Sequence, residues 1–253
     1  MTPFHDSRDR AVRGMFDDVA PRYDLLNRII SFGLDSYWRK AAVAAALRDG
    51  SGLVLDIGSG TGDLTFATAA YGRGAARVIG LDFSLEMLRL AQQKKRRAAG
   101  DLQTQFVQGS GLLAPFKPCV FDGVITAFVL RNVSDLELFF SESQRVLKPG
   151  GTLVTLDMFP PSKNWFSPLY EFYFYRLVPW IGKILSPHGQ AYQYLSESVQ
   201  RFHSPETITG LIEEAQFERV KLKKFLNGAV CMHVAHKPAA FRLIRCRVSP
   251  VVF

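Results

Sequence analysis

Three things are scarce in this chain of 253 residues, and each scarcity removes a class of protein. Cysteine occurs only as Cys119, Cys231 and Cys246, an odd set without CxxC spacing, so neither a disulfide framework nor a thiolate zinc site is expected. No His, Cys and carboxylate residues cluster at metal-ligand spacing either, and no metal is expected. Acid is short relative to base: 23 Asp and Glu stand against 31 Lys and Arg, a formal charge of +8. That balance favours an anionic partner but does not by itself choose among nucleic acid, anionic lipid and an anionic cofactor. The run KKRR at Lys94–Arg97 reads as a solvated helix end, and nucleic acid is not expected.

Also missing is an uncharged apolar run long enough to cross a bilayer. The nearest approach is SPLYEFYFYRLVPWIGKIL, residues 167–185. Glu171 and Arg176 would lie near mid-bilayer at roughly 2.5–3.5 kcal/mol each, and Pro168 and Pro179 interrupt the run. The span is rejected. The opening MTPFHDSRD carries two acids and no apolar stretch, so it does not read as a secretory leader. The expectation is a cytoplasmic chain whose membrane contact, at the inner face of the cell membrane, is peripheral.

What is present is order. Residues 10–50 read as helices broken at Pro21 and stopped at Gly50. From residue 53 apolar runs alternate with helical stretches: LVLDI, ARVIGLD, TQFVQ, FDGVITAF and GTLVTLD as strands, with helices near 63–71, 84–98 and 134–147. Such alternation predicts an α/β fold with a largely parallel sheet covered on both faces. Ser134 with Glu137 has the pattern of a capping box, and Ser204 before Pro205 that of a cap with proline at N1. A helix at 205–215 and runs at 217–226 and 229–236 suggest a closing αββ unit. The division expected is a helical lid over 1–50, a catalytic domain over 51–237 carrying an insertion at 160–200, and a basic, apolar tail over 238–253.

VLDIGSGTGDLT places Gly58, Gly60 and Gly62 between a strand and a helix, where backbone can approach a ligand closely. The spacing is GxGxG and not the GxGxxG of dinucleotide sites. Asp82 ends the next strand, where a carboxylate can accept hydrogen bonds from ribose hydroxyls. Asp56 and Asp63 flank the loop and would repel a diphosphate, so a nucleoside with a cationic centre and an amino-acid end, S-adenosylmethionine, fits better.

LDIGSGTG, Asp82 and RVLKPGGTLV resemble the motifs of class I S-adenosylmethionine methyltransferases. With MFDDVAPRYDLLNRIISFGLDSYWR, LRNVSD, LYEFYFYRLVPWIGKIL and YQYLSESVQRF, the chain from about 12 to 237 is similar to the UbiE/MenG/Coq5 quinone-biosynthesis C-methyltransferases, demethylmenaquinone methyltransferases above all. The resemblance implies a Rossmann-like, mostly parallel seven-stranded sheet. It also implies methyl transfer to a ring carbon of a polyprenylated quinol, giving menaquinone or an intermediate of ubiquinone. Cofactor contacts implied by position are Thr61, Asp82 and Ser110–Gly111, with Asp56, Phe83 and Ala127 beside them. The chain departs from the family at Ser110, where an acid or Asn is common, and in AFVLRN, where Ala127 and Val129 replace a hydroxyl residue or glycine and a glycine. A related enzyme for an unprenylated aromatic and a catalytically silent cofactor-binding assembly protein are the other readings.

Arg131 and Asn132 follow the apolar run VITAFVL, at a strand's carboxyl end. A permanent cation and an amide there suit a developing phenolate, and Arg131 either stabilises the oxyanion or orders a water that takes the proton. His188 and Tyr194 are candidate proton acceptors; His233, in an apolar run, reads as a core residue. Tyr23 is placed by the resemblance in the lid over the pocket. In the aromatic insertion Tyr170, Tyr173, Phe174 and Leu177 share one helical face, read either as core or as a wall for a prenyl tail. A lipid quinol, an anionic membrane surface and a second copy of the chain are the partners expected.

Overall fold

The computed structural model describes residues 7–47, 52–71, 76–98, 102–160, 172–177 and 190–239. Three helices come first: α1 (Ser7–Val19), α2 (Tyr23–Ile30) and α3 (Leu34–Ala46). Pro21 sits in the short 3₁₀ turn Ala20–Arg22 that separates the first two, since its missing N–H cannot serve a continuous helix. Then follow β1 (Gly52–Ile57), α4 (Asp63–Ala70), β2 (Ala76–Asp82), α5 (Leu85–Arg97), β3 (Thr104–Gln108), β4 (Phe121–Ala127), α6 (Leu136–Val146) and β5 (Leu147–Met158). A π-helical turn, Tyr173–Leu177, and helix α7 (Gln190–Gln200) are what is described of the aromatic insertion. The chain closes with α8 (Pro205–Glu214), β6 (Glu218–Phe225) and β7 (Val230–His236).

The sheet order is β3-β2-β1-β4-β5-β7-β6. All neighbours are parallel except β7, which runs antiparallel to both β5 and β6. This is the class I methyltransferase arrangement expected from the sequence. Central strands are buried on both faces and therefore read as apolar runs; Val54, Leu55, Val124, Ile125, Leu153 and Val154 are all fully buried. Edge strand β6 carries exposed Lys221, Lys223 and Lys224, charges that discourage pairing with another chain.

Two cores flank the sheet. On one side Phe139, Phe140 and Val146 of α6 and Ile208 and Ile212 of α8 pack against Leu55, Phe121 and Leu153. On the other, Trp38, Ala42, Val43 and Ala46 of α3 pack on Val54, Ile125 and Val154, so α3 is built into the sheet's core. A third, smaller core joins Val19 and Ile30 to Phe174, Val199 and Ala229, tying α1 and α2 to the insertion.

Helix caps fall close to the expected places. Ser204 Oγ accepts from Thr207 N–H at 3.1 Å, with Pro205 at N1, as expected. The cap of α6 is Asp135, whose carboxylate accepts from Leu138 N–H at 2.8 Å, one residue beyond the expected Ser134. A carboxylate is the better group there because it also meets the positive end of the helix dipole. Among the described residues no helix is long and apolar enough to cross a membrane.

Candidate active site

Parallel strands deliver their carboxyl ends to one edge, and three of them end in Leu-Asp: Asp56 on β1, Asp82 on β2 and Asp157 on β5. All three are buried. Asp56 takes a hydrogen bond from the Thr65 hydroxyl at 2.6 Å, but its Oδ1 has no partner. Burial pushes its carboxyl up to about 7, against the relief given by Thr65, and the charge of Asp82 adds to the rise. Asp82 accepts from the N–H groups of Gly60 at 2.7 Å and Ser84 at 2.8 Å, which temper the effect of burial; its carboxyl stands at about 6.

Between β1 and α4 the glycine loop bends at Gly58, where φ is +72° and a Cβ would lie 2.3 Å from Val129 Cγ2. Only glycine fits there. A groove runs beside this loop past Gly58, Asp82, Phe83, Ser110, Gly111 and Asn132. Its free space is about 80 Å³, well below the several hundred typical of a small-molecule site. Val12 of α1 and Val129 both stand in it, so the lid must shift to admit a nucleoside. Ser110 Oγ accepts from Leu112 N–H at 3.1 Å, which leaves its proton available to a ligand. Gly60, Thr61 and Gly62 continue the loop beyond this lining, and Ala127 ends β4 packed against the α3 side of the sheet.

Arg131 and Asn132 lie in a 3₁₀ turn, Leu130–Asn132, directly after β4. The turn is set by Phe128, whose φ of +63° is costly for a bulky side chain, and whose N–H is held by Leu156 O at 2.7 Å. Arg131 is buried, and its Nη1 donates to Asp157 Oδ1 at 2.7 Å. Met158 N–H donates to the same oxygen. Arg131 Nε, Asn132 Oδ1 and Asp157 Oδ2 are nevertheless buried without partners, as are Asp56 Oδ1, Ser59 Oγ and Thr126 Oγ1. Orphaned polar atoms are costly, and this concentration at the strand ends is what a site built for a polar ligand looks like.

Arg131 borders three further spaces, one of them a wide cleft of about 860 Å³ beside α6, α7 and α8. A small one, shared with Asn132, Tyr23, Tyr194 and Leu195, leads from the groove. It continues into an apolar cavity of about 340 Å³ walled by Trp38, Phe128, Met158, Tyr173, Phe174 and Leu195. Tyr23 borders both spaces. Tyr173 donates its hydroxyl to Ile30 O at 2.8 Å, and burial raises its pKa, so it remains a neutral phenol. Phe174, 1% exposed, forms cavity wall and core at once. Leu177 ends the π-helical turn, while Tyr170 and His188 lie outside the described residues. His233 is a core residue as expected: its ring bridges Pro205 O at 3.0 Å and Thr155 Oγ1 at 3.3 Å, and burial lowers its pKa.

A latch closes the site. Asp24 of α2 pairs with Lys94 of α5 and accepts from the Thr61 hydroxyl, both at 2.5 Å. Lys94 also reaches Asp63 at 2.7 Å, and Asp17 of α1 accepts from Ser84 Oγ. Lys94 is thus no solvated helix end, which corrects the expectation for KKRR at that residue. Lys94 and Asp157 are functional candidates that the sequence did not single out, and Asp24, which the resemblance places with Tyr23 in the lid, had no role assigned to it. The recurring Leu-Asp at strand ends was a signal for Asp157; ion pairs between distant elements leave none.

The chain matches a sequence model described as the ubiE/COQ5 methyltransferase family over residues 4–237. A demethylmenaquinone methyltransferase of Thermus thermophilus is 41% identical across 88% of this chain and 100% of its own length. One from Deinococcus radiodurans is 40% identical across 93% and 97%, and a ubiquinone/menaquinone biosynthesis C-methyltransferase UbiE of Desulfotalea psychrophila 41% across 90% of each. Among solved structures, an S-adenosylmethionine-dependent methyltransferase of Thermotoga maritima shares the fold, with a TM-score of 0.63 at 19% identity, covering 88% of this chain and 98% of that one. The match spans the glycine loop, the three strand-end aspartates and the Arg131–Asn132 turn, and the chain belongs to the ubiE/COQ5 methyltransferase family.

Proposed function

We propose that this chain is an S-adenosylmethionine-dependent C-methyltransferase that converts demethylmenaquinol to menaquinol. The observation that carries this reading is the apolar cavity of about 340 Å³, which a small space lined by Arg131 and Asn132 joins to the groove beside the glycine loop. Long relatives of about 40% identity whose printed name is demethylmenaquinone methyltransferase support it. A benzoquinol of the ubiquinone pathway is the second reading, favoured by the UbiE relative from Desulfotalea psychrophila.

The residues present fit the cofactor. Asp82 would offer its strand-end carboxylate oxygens to ribose hydroxyls, Phe83 and Ser110–Gly111 border the same groove and would hold the nucleobase, and Asp56, buried just before the glycine loop with Oδ1 unpartnered among the described residues, would favour a cationic ligand when ionised. When bound, S-adenosylmethionine supplies an electrophilic methyl group on a positively charged sulfur. Asn132 stands where groove and cavity communicate, positioned to align the quinol ring with that methyl. Arg131 Nε–H, with no partner among the described residues, would donate to the quinol oxygen as it becomes a phenolate. Methyl transfer would exchange the cofactor's carbon–sulfur bond for a ring carbon–carbon bond; the hydroxyl proton would leave to water, and the ring proton would return through water to the oxygen, so that one proton is released overall. Asp157 fixes the guanidinium from behind. The cavity walls hold the start of the tail, each buried methylene contributing about 0.8 kcal/mol.

Expression in a cell lacking its own enzyme tests this function. Mass spectrometry of the quinones should show demethylmenaquinone replaced by menaquinone; unchanged demethylmenaquinone rejects the reading, and a methylated benzoquinone alone selects the second one. The same reading puts the chain in peripheral contact with the membrane that holds its substrate.

A further inference from the structure

Seven of the eleven large apolar side chains left exposed among the described residues lie on the elements that wall the apolar cavity, which makes their exposure a local feature. Leu25, Ile29 and Phe32 recur at helical spacing along the outer face of α2 and its end. Leu34 and Tyr37 continue the patch on α3, while Phe172 and Leu226 stand on the insertion and on the β6–β7 turn. Phe32, Leu34 and Leu226 are also walls of the apolar cavity, so the patch is its rim. Ring contacts tie the helices to the other elements of the rim: Phe32 lies 5.2 Å from Tyr173, and Tyr37 6.1 Å from Phe225, ring centre to ring centre.

Phe32 is 74% exposed and holds a φ of +51°, a conformation that is strained for a bulky residue. Hydrogen bonds from Phe32 N–H to Ile29 O and from Gly33 N–H to Arg28 O fix it there. These two bonds end α2, a stop that needs the left-handed backbone but not an aromatic ring, and the ring is left out in water.

Charge decides the occupant. Arg28 is exposed within the α2 stripe, Arg176 follows Tyr173 in the π-helical turn, and Lys40 lies one helical turn beyond Tyr37. Lys223 covers the Phe225 ring at 5.1 Å. The acids of α2 and α3 are already neutralised, Asp24 by Lys94 and Asp35 by Arg39. Apolar side chains inside a basic ring match an anionic bilayer, where each Lys or Arg strengthens binding roughly five-fold.

We propose that this rim is the docking surface for an anionic lipid bilayer, and that a long apolar tail passes through it between membrane and cavity. The proposal rests on reading the cavity as the seat of a lipid-tailed quinol. Leu25, Ile29 and Phe32 enter the acyl boundary, while the four basic side chains meet lipid phosphates.

The full chain and a Leu25→Ser/Ile29→Ser variant, neither of whose altered side chains lines the cavity, are sedimented with phosphatidylglycerol and with phosphatidylcholine vesicles. The wild type should bind phosphatidylglycerol at least ten-fold more tightly than phosphatidylcholine, and the variant should lose at least ten-fold on the former. Arg28→Glu should lose a similar factor, abolished at high salt. Turnover of a short-tailed quinol in free solution should be the same for wild type and variants, which also reports that they fold. Equal sedimentation of wild type and variants overturns the proposal, as does no binding by the wild type. A wild-type dimer that the double variant splits, without any change in vesicle binding, overturns it in favour of a second copy of the chain. If no quinol is methylated in solution while vesicle binding behaves as stated, the proposed reaction fails and the docking surface stands.

Discussion

Replacing Asp56 with Asn should stabilise the protein and weaken its hold on the cofactor at once. The carboxyl of Asp56 is buried and its pKa is raised from 3.8 to about 7. Because the folded value lies above the unfolded one, the folded chain holds a proton that the unfolded chain has released between about pH 4 and 7. The contribution is therefore full below about pH 4 and is lost as pH rises to 7. Between pH 5 and 7 the loss is about 2 kcal/mol, two pH units at about 1.4 kcal/mol each less the half-protonation that remains at pH 7. Asn removes the titration but puts a second buried amide nitrogen or oxygen where Oδ1 has no partner, at about 1–3 kcal/mol independent of pH. Urea unfolding of both proteins at several pH values should show the variant gaining on the wild type by about 2 kcal/mol from pH 5 to 7 and levelling off by about pH 8. Calorimetric titration should show the wild type's S-adenosylmethionine affinity falling up to about tenfold for each pH unit below 7, and the variant's affinity weaker and flat down to about pH 6, where Asp82 begins to protonate. A constant gap between the unfolding curves across pH 5–8 would refute the reasoning that Asp56 titrates near 7.

Three further outcomes follow from the geometry. Arg131→Lys keeps a cation against Asp157 but loses the Nε donor, so kcat should fall about 100-fold with the cofactor dissociation constant nearly unchanged; equal losses in both would make Arg131 a structural ion pair. Gly58→Ala should destabilise by about 3 kcal/mol or more, because its Cβ meets Val129 at 2.3 Å and φ is +72°. Adding Val129→Gly should return about half of that, and additive urea midpoints would contradict the contact. Asp24→Ala removes the latch to Lys94 and Thr61, so stopped-flow fluorescence should show faster cofactor association; an unchanged rate would mean that α1 and α2 do not gate the groove.

Much of this architecture was legible because it is local. The runs ending at Asp56 and Asp82 announced strands, the glycines between β1 and α4 a close backbone approach, and Ser204–Pro205 a helix start, since each depends on neighbouring residues. The α6 cap moved by one residue, from Ser134 to Asp135, because two adjacent capping residues differ only in which reaches Leu138 N–H. Lys94 was misread for a different reason. Its partners Asp24, Thr61 and Asp63 come from other elements, and a basic run shows nothing of a carboxylate brought to it by tertiary packing. The cavity was likewise hidden, because Phe32, Trp38, Phe128 and Met158 converge from four segments. Only the resemblance, and not the residue pattern, pointed to a tailed quinol.

The account rests on methyl transfer to carbon. Incubating the purified chain with S-adenosylmethionine carrying a trideuterated methyl group and with demethylmenaquinol, then fragmenting the extracted quinone by mass spectrometry, tests it most directly. The account predicts one trideuteromethyl group retained on the naphthoquinone ring after oxidation of the quinol. A label found on oxygen, or no label on any quinone while the cofactor binds, would contradict it.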